Sequence, residues 1–264
     1  MKVNIHAPTD KWILQRRGDE LRKRLNYVTL NAQNKNDFDI NFYINYTLFK
    51  EKTKTIDIAL FTHIEPAPKE TKLFFDNAER ADYCVCSAKT CVKKLNEYGI
   101  KNVVQILPGF NLDDLKPKLI LGFVGRYAKP KHENRKGKKL LDMISLLPFT
   151  EVRRTLGKVP KENIPAFYRN LDYTVITSKY EGGPMCLVES LACGIPVIAP
   201  SGVGLVPEFD VGVFKYENSN FESLKAVLFK LHNKKLKLAK QIEELTWANY
   251  AINHDKIFRK VLSC

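Results

Sequence analysis

Short apolar, β-branched runs alternate along this chain with stretches whose apolar positions recur every three or four residues. Residues 3–5 predict a first strand. Residues 10–25 predict a helix capped by Thr9 or Asp10, with Trp12, Ile13, Leu21 and Leu25 as its buried positions. Strands are expected at 41–46, 56–61, 81–86 and 103–107, with a helix over 89–98 that stops at Gly99. Pro108-Gly109 then breaks the pattern, and Leu112-Asp-Asp-Leu-Lys-Pro117 reads as a linker.

A second series follows. Strands are expected at 119–124, 173–177 and 196–199, and helices at 138–147 and 185–193, with a helical turn at 165–170. Strands spaced by helices imply βαβ units and parallel sheets, so the expected fold class is α/β. Two series meeting near Pro117 predict two doubly wound lobes with a cleft between them, the first over residues 1–116. The tail reads as two helices, one on Leu224, Val227, Leu228, Leu231, Leu238, Ile242 and Leu245. The other is carried by Trp247, Tyr250, Ala251, Ile257, Phe258 and Val261.

Composition narrows the class. The 264 residues are 44% hydrophobic, which excludes wholesale disorder. No run of about 18 apolar residues offers a membrane span, and the amino end lacks the apolar segment of a signal peptide. The six cysteines show no extracellular pairing pattern, so a cytoplasmic protein with reduced thiols is expected. Cys84 and Cys86 share a strand face and read as core thiols, and with Cys91 they fall short of a four-ligand zinc site. No metal site is assigned; Asp37-Phe-Asp39 reads as turn chemistry.

Net charge is +14, unevenly placed: +4 over residues 1–116 and +10 over 117–264. That excess suits an anionic partner, such as nucleic acid or a membrane face, or simply solubility. The basic run Lys230, Lys234, Lys235, Lys237 and Lys240 reads as a solvated helix face, with peripheral membrane contact as its alternative.

The chemistry concentrates in Ser178-Lys-Tyr-Glu-Gly-Gly-Pro-Met-Cys-Leu-Val-Glu-Ser-Leu-Ala-Cys-Gly-Ile-Pro-Val-Ile-Ala199. A strand ends, a Gly-Gly turn follows and a helix begins, placing a helix amino terminus at the carboxyl end of a parallel strand. Such a crevice suits an anion. Glu181 precedes the helix and Glu189 lies inside it, so two carboxylates could hold two sets of sugar hydroxyls.

This stretch resembles retaining glycosyltransferases of family 4, whose signature is two glutamates separated by seven residues, then Ala-Cys-Gly-x-Pro-Val. Phe123-Val-Gly-Arg126 followed by Arg135-Lys136-Gly137 resembles the family's first strand and phosphate-gripping loop. Residues 164–172 resemble its helical turn, residues 107–117 its interdomain linker, and the tail its final helix pair. The resemblance implies the GT-B architecture of two Rossmann-like lobes: an acceptor-side lobe over 1–116, a nucleotide-sugar lobe over 117–245, and a last helix over 246–264 returning to the first. It also implies a compact member with a short first lobe.

The roles implied are these. Arg126 and Lys136 grip the donor diphosphate, where a metal-free enzyme needs fixed cations for the leaving group. Glu181 binds the transferred sugar and Glu189 the ribose. Gly182 and Gly183 form the turn, and the amides of Gly183, Met185 and Cys186 face sugar and phosphate. His63, past a strand end in the first lobe, resembles the family's cleft histidine, with a structural histidine as the alternative. His6 is a weaker candidate. The family's Gly-Gly loop after the first strand is replaced by Ala7-Pro-Thr-Asp-Lys-Trp12. The loop Lys129-Pro-Lys-His-Glu-Asn-Arg135 is read as either a clamp for phosphate or acceptor, or a disordered surface loop.

The expected activity is metal-independent, retaining transfer from a nucleoside-diphosphate sugar, with no cofactor, to a glycan or lipid-linked acceptor. Transfer to modified DNA bases is one alternative; a non-catalytic nucleotide-sugar or nucleic-acid binding module is the other.

Overall fold

The computed structural model describes residues 1–10, 12–127 and 130–263. In chain order the regular elements are β1 (Val3–His6), α1 (Ile13–Arg24), β2 (Val28–Leu30), β3 (Ile40–Tyr43), β4 (Ile56–Phe61), α2 (Pro68–Arg80), β5 (Tyr83–Cys86), α3 (Lys89–Glu97) and β6 (Val103–Gln105). They continue with β7 (Leu119–Phe123), α4 (Pro130–Arg135), α5 (Lys138–Ser145), β8 (Thr150–Arg154), α6 (Ile164–Arg169), β9 (Tyr173–Val175), α7 (Met185–Ala192), β10 (Val197–Pro200), β11 (Val213–Tyr216), α8 (Phe221–Lys240) and α9 (Trp247–Leu262). The chain divides into two compact units, Met1–Leu115 with Ile242–Cys264, and Lys116–Gln241. Among the described residues no helix is long and apolar enough to cross a membrane.

The first unit is a six-stranded sheet in the order β2-β1-β3-β4-β5-β6, with every pairing parallel. Alternate residues of β4 feed two cores. Ile58 and Leu60 join Ile5, Phe42 and Val85 against Leu21 of α1 and Trp247, Tyr250 and Phe258 of α9. Ala59 and Phe61 join Cys84 and Cys86 against Phe74 of α2 and Leu95 of α3. Burial on both faces explains why β4 reads as a continuous apolar run. The β2–β3 crossover carries a single 3-10 turn, Lys35–Asp37, in place of an α-helix. Its bare backbone is met by polar side chains of the sheet: Asn4 Oδ1 accepts from Ala32 N–H (3.0 Å), and Asn41 Nδ2 donates to the Lys35 carbonyl (3.0 Å). Buried Asp57 accepts from Thr53 N–H at 2.7 Å. Each buried polar group here has a partner, as burial demands.

The second unit is a five-stranded sheet in the order β11-β10-β9-β7-β8, again all parallel. One face packs Leu121, Val175 and Ile198 against α5 and α8, and the other packs Ile176, Val197 and Ala199 against Leu187 of α7. One close approach fixes the relation between α5 and β9. Gly137 caps α5 at φ +65, and a Cβ there would lie 1.9 Å from the Thr177 carbonyl oxygen. Thr177 Oγ1 donates to the Lys136 carbonyl (2.7 Å), and Lys179 N–H donates to the Arg135 carbonyl (2.8 Å). Residues 135–137 thus lie flat against the segment leaving β9.

Several expectations need correction. Helix α1 begins at Ile13, and Trp12 is 72% exposed because it precedes the first turn, its N–H taken by Asp10 Oδ1 at 3.0 Å. Leu238 and Ile242 are exposed, lying at and beyond the end of α8, where the helix has left its core. The segment expected as a loop before Arg135 is helical over Pro130–Arg135; proline suits a first helical position. Lys11 and Lys129, quoted in two of the motifs, lie outside the described residues. Helix α2 and strands β2, β8 and β11 were not expected.

Two outcomes follow from this packing. His254 is fully buried, and burial first of all holds its pKa down at about 4; His6 is displaced in the same direction, also mainly by burial. A histidine kept neutral when folded binds its proton only on unfolding below pH ~6.5. Its stability contribution is therefore whole above that pH and is lost as pH falls towards 4, by about 3 kcal/mol in all. Urea titrations should show this decline between pH 6.5 and 5, and His254→Phe should flatten much of it. Separately, Gly137→Ala should destabilise the second unit by about 3 kcal/mol or more, since it combines a left-handed backbone with a clash against fixed backbone. An unchanged thermal midpoint would contradict the crossing at Thr177.

Candidate active site

The contact between residues 135–137 and 177–179 delivers side chains as well as backbone. Past Thr177 the chain turns through Glu181, Gly182 and Gly183 into α7. Lys136 Nζ lies 2.5 Å from Glu181 Oε1, and Arg135 donates to Glu181 Oε2 at 2.8 Å. Ser178 Oγ donates to Oε1 at 2.9 Å. Both carboxylate oxygens are engaged, and the three charged side chains are only 12–28% exposed. Burial alone would raise the Glu181 pKa. The bonds from Lys136, Ser178 and Arg135 outweigh it and keep the carboxyl below its ordinary range.

The turn is itself held. Gly204, at φ +53 on the loop after β10, sits so close that a Cβ would come 2.8 Å from Pro184 Cδ and 2.9 Å from the Glu181 carbonyl oxygen. Pro184 caps α7 and is buried, while Gly182, Gly183 and Met185 are exposed. Leu187 N–H returns to the Pro184 carbonyl at 2.9 Å. Met185 and Cys186 open the helix, where amides lack carbonyls four residues back. Cys186 is a half-buried thiol whose pKa is pushed up to about 11, chiefly by desolvation. It is inert rather than nucleophilic.

Glu189 lies on α7 and is exposed, yet its Oε2 accepts a 2.8 Å hydrogen bond from Tyr168. Tyr168, on α6, is itself fully buried. Burial first, then the bond to Glu189, raises the phenol pKa well above its ordinary value, so it is a fixed donor. Arg126 follows β7 and is exposed. It lies over Gly157, where a Cβ would meet its Cβ and Cδ at 3.4 Å. Among the described residues it makes no ion pair.

Lys136 and Glu181 are thus in direct contact, and Glu189 lies about one turn into α7, the helix that Glu181 precedes. Arg126 touches neither carboxylate. His63 belongs to the first unit and is 67% exposed, with its Nε2 2.6 Å from Glu65 Oε1 and its Nδ1 3.0 Å from Thr62 Oγ1. His6 is half-buried, stacked on Tyr43 with centroids 4.5 Å apart and bonded to Asn41 at 3.0 Å, a structural histidine in its sheet. Sequence reasoning gave no role to Arg135, Ser178, Tyr168 or Gly204. Arg135 flanks Lys136, Ser178 opens the quoted signature stretch, and Tyr168 lies in the quoted helical turn; for Gly204 no sequence signal pointed to the contact.

A 55-residue stretch, 21% of this chain, is 44% identical to a probable transglycosylase of Burkholderia thailandensis, and the chain spans only 15% of that protein. Among solved structures, Anabaena HepE in complex with UDP-glucose is 13% identical, with all of both chains covered and a TM-score of 0.42. A glycosyltransferase from Rickettsia africae is 14% identical over 99% of this chain and 98% of its own, with a TM-score of 0.40. The family model of glycosyl transferases group 1 matches residues 90–245. The two parallel α/β sheets are the Rossmann-like lobes of the GT-B class, and with more than half of its length matched, the chain belongs to the glycosyl transferases group 1 family.

Proposed function

We propose that this chain is a family 4 type, retaining glycosyltransferase that moves a sugar from a nucleoside-diphosphate donor to a glycan or lipid-linked acceptor without a metal ion. The observation that carries this reading is the cluster of Arg135 and Lys136 on Glu181 at the mouth of α7, with Glu189 about one turn along the same helix. Glycosyl transfer from such a donor expels a diphosphate, and fixed cations stabilise the charge that develops there. Lys136 and Arg126 supply that charge, joined by the amides at Gly183, Met185 and Cys186. The departing phosphate takes the acceptor proton, so no protein nucleophile is required.

The carboxylates have different tasks in this reading. Glu189, fixed by Tyr168, accepts from the ribose hydroxyls. Glu181 accepts from the transferred sugar, where ring shape and charge change during reaction. With no donor bound, Glu181 also neutralises Lys136 and Arg135, so a donor must draw the cations towards its phosphates.

Nucleoside diphosphate titrated calorimetrically into variants tests these assignments. Affinity for the best of UDP, GDP and ADP should fall about tenfold or more in Glu189→Ala, which loses a ribose contact. A smaller loss is expected in Tyr168→Phe. Glu181→Ala should bind as tightly as wild type or more tightly, because it frees two cations without touching the nucleotide. A reversed order would show the two carboxylates to be exchanged or the reading to be wrong. Turnover of the preferred donor should also survive excess chelator unchanged. Activity that disappears with chelator and returns with magnesium or manganese would overturn metal independence.

A further inference from the structure

The seam between α1 and α9 in the first unit holds polar atoms that the surrounding fold leaves unsatisfied. Arg17 on α1 is 8% exposed. One of its amino groups donates to Ser87 Oγ at 3.3 Å, while its Nε–H has no partner among the described residues. Glu20, the buried acid of α1, is committed to Lys23 and Arg24. On α9, Trp247 Nε1 and Tyr250 Oη are likewise buried and unpartnered, in side chains of residues 4% and 2% exposed. His254 gives its Nδ1 proton to the Tyr250 carbonyl at 2.9 Å, leaving Nε2 as a buried acceptor without a donor.

These groups are neighbours. The Trp247 and Tyr250 ring centroids are 5.6 Å apart, and those of Tyr250 and His254 are 4.2 Å apart. The Arg17 charge reaches both Tyr250 and His254, opposing protonation of the latter after burial has already lowered its pKa. Three of the four unsatisfied atoms are donors, and one belongs to a guanidinium that cannot lose its proton. A buried cation without a counter-charge is costly, and nearby donors without acceptors add to that cost. The chemical complement of such a group is an oxyanion, for which arginine is the preferred partner.

A cavity of about 390 Å³ lies beside the seam, reaching it at Tyr250, with Gln105, Asn249, Asn253 and Lys256 also in its wall. Gln105 Nε2 donates to the Ser87 carbonyl at 3.4 Å, the residue whose hydroxyl takes Arg17. The acid on this cavity, Glu244, is bound to the Asn249 amide at 2.9 Å. Lys256 adds positive charge.

We propose that the α1–α9 seam is an oxyanion-binding site of the first unit, in which Arg17, Trp247 and Tyr250 take a phosphate or carboxylate group that enters past Gln105 and Lys256. It shares no residue with the Lys136–Glu181 cluster and does not depend on the function proposed for that cluster.

Trp12 and Trp247 are the two tryptophans, so Trp12→Phe leaves a single reporter inside the seam. Inorganic phosphate and, separately, acetate should be titrated into this variant at constant ionic strength while Trp247 emission is followed. A saturable change is expected, with phosphate or acetate the tighter according to the anion for which the seam is built. Adding Arg17→Met should weaken that response at least tenfold. Tyr250→Phe, which removes one donor and keeps the ring, should weaken it severalfold and serves if Arg17→Met fails to fold. Lys136→Ala should leave it intact. No saturable response to either anion means that water alone fills the seam and overturns the proposal. So does a response that survives Arg17→Met, or one that disappears with Lys136→Ala.

Discussion

The site in the second unit depends on one steric constraint, the passage of Gly137 over the Thr177 carbonyl. Only a residue without a Cβ, at a left-handed φ, can bring the start of α5 so close to the end of β9. Once there, the Thr177 hydroxyl and the Lys179 amide hold the carbonyls of Lys136 and Arg135. The two cations are then fixed by backbone rather than by the flexible ends of their own side chains. Their contact with Glu181 depends on main-chain geometry, which costs less entropy to maintain than a pair of free surface side chains.

That geometry also explains why the three charges tolerate partial burial. Glu181 takes four potential acceptor positions into a space supplied with an ammonium, a guanidinium and a hydroxyl. A carboxylate in such company stays ionised, and it returns the favour by neutralising cations that would otherwise repel each other at adjacent positions. In the proposed function the cluster would be pre-organised for exchange: an incoming diphosphate would meet cations already partly desolvated and oriented, and would displace a carboxylate that still keeps its Ser178 bond. Preformed charge of this kind stabilises a transition state without reorganisation during the reaction.

The sequence carried the interior of both sheets and one edge, β6, and lost the other three edges. Strands β4 and β5 in the first unit and β7 and β10 in the second were legible because mostly apolar residues fill both of their faces, whereas β1, β3 and β9 showed through one apolar face, with buried Asn4, Asn41 and Thr174 on the other. The strands that escaped, β2, β8 and β11, are all sheet edges. Thr150–Arg154 reads Thr-Glu-Val-Arg-Arg because an edge strand keeps one side in water and carries charge there. Helix α2 escaped because its buried set is only Phe74, Asn77 and Ala78, with an asparagine where periodicity expects an apolar residue. Asn77 is buried because its amide donates to the Tyr46 carbonyl at 2.8 Å, a tertiary contact that no local pattern reveals. In the site, Glu181, Glu189 and Lys136 were legible as chemistry at a fixed spacing. Tyr168 and Gly204 were not, since their importance lies in what they touch across 21 and about 20 residues of chain.

The first unit shows two ways of treating buried polar groups, and the contrast gives the α1–α9 seam its meaning. Beneath the β2–β3 and β3–β4 connections, Asn4, Asn41 and Asp57 are as buried as any core residue, and each is matched to a named backbone or hydroxyl partner. That layer replaces a missing helix and is complete in itself. At the seam, Arg17, Trp247 and Tyr250 present donors in one neighbourhood, and among the described residues His254 Nε2 is left as a buried acceptor without a donor. A fold that satisfies one buried polar layer so fully has no structural need of the other. An apolar side chain at position 17 would pack between α1 and α9 without the cost of a buried charge, so the guanidinium there is better explained by what it binds than by what it holds together.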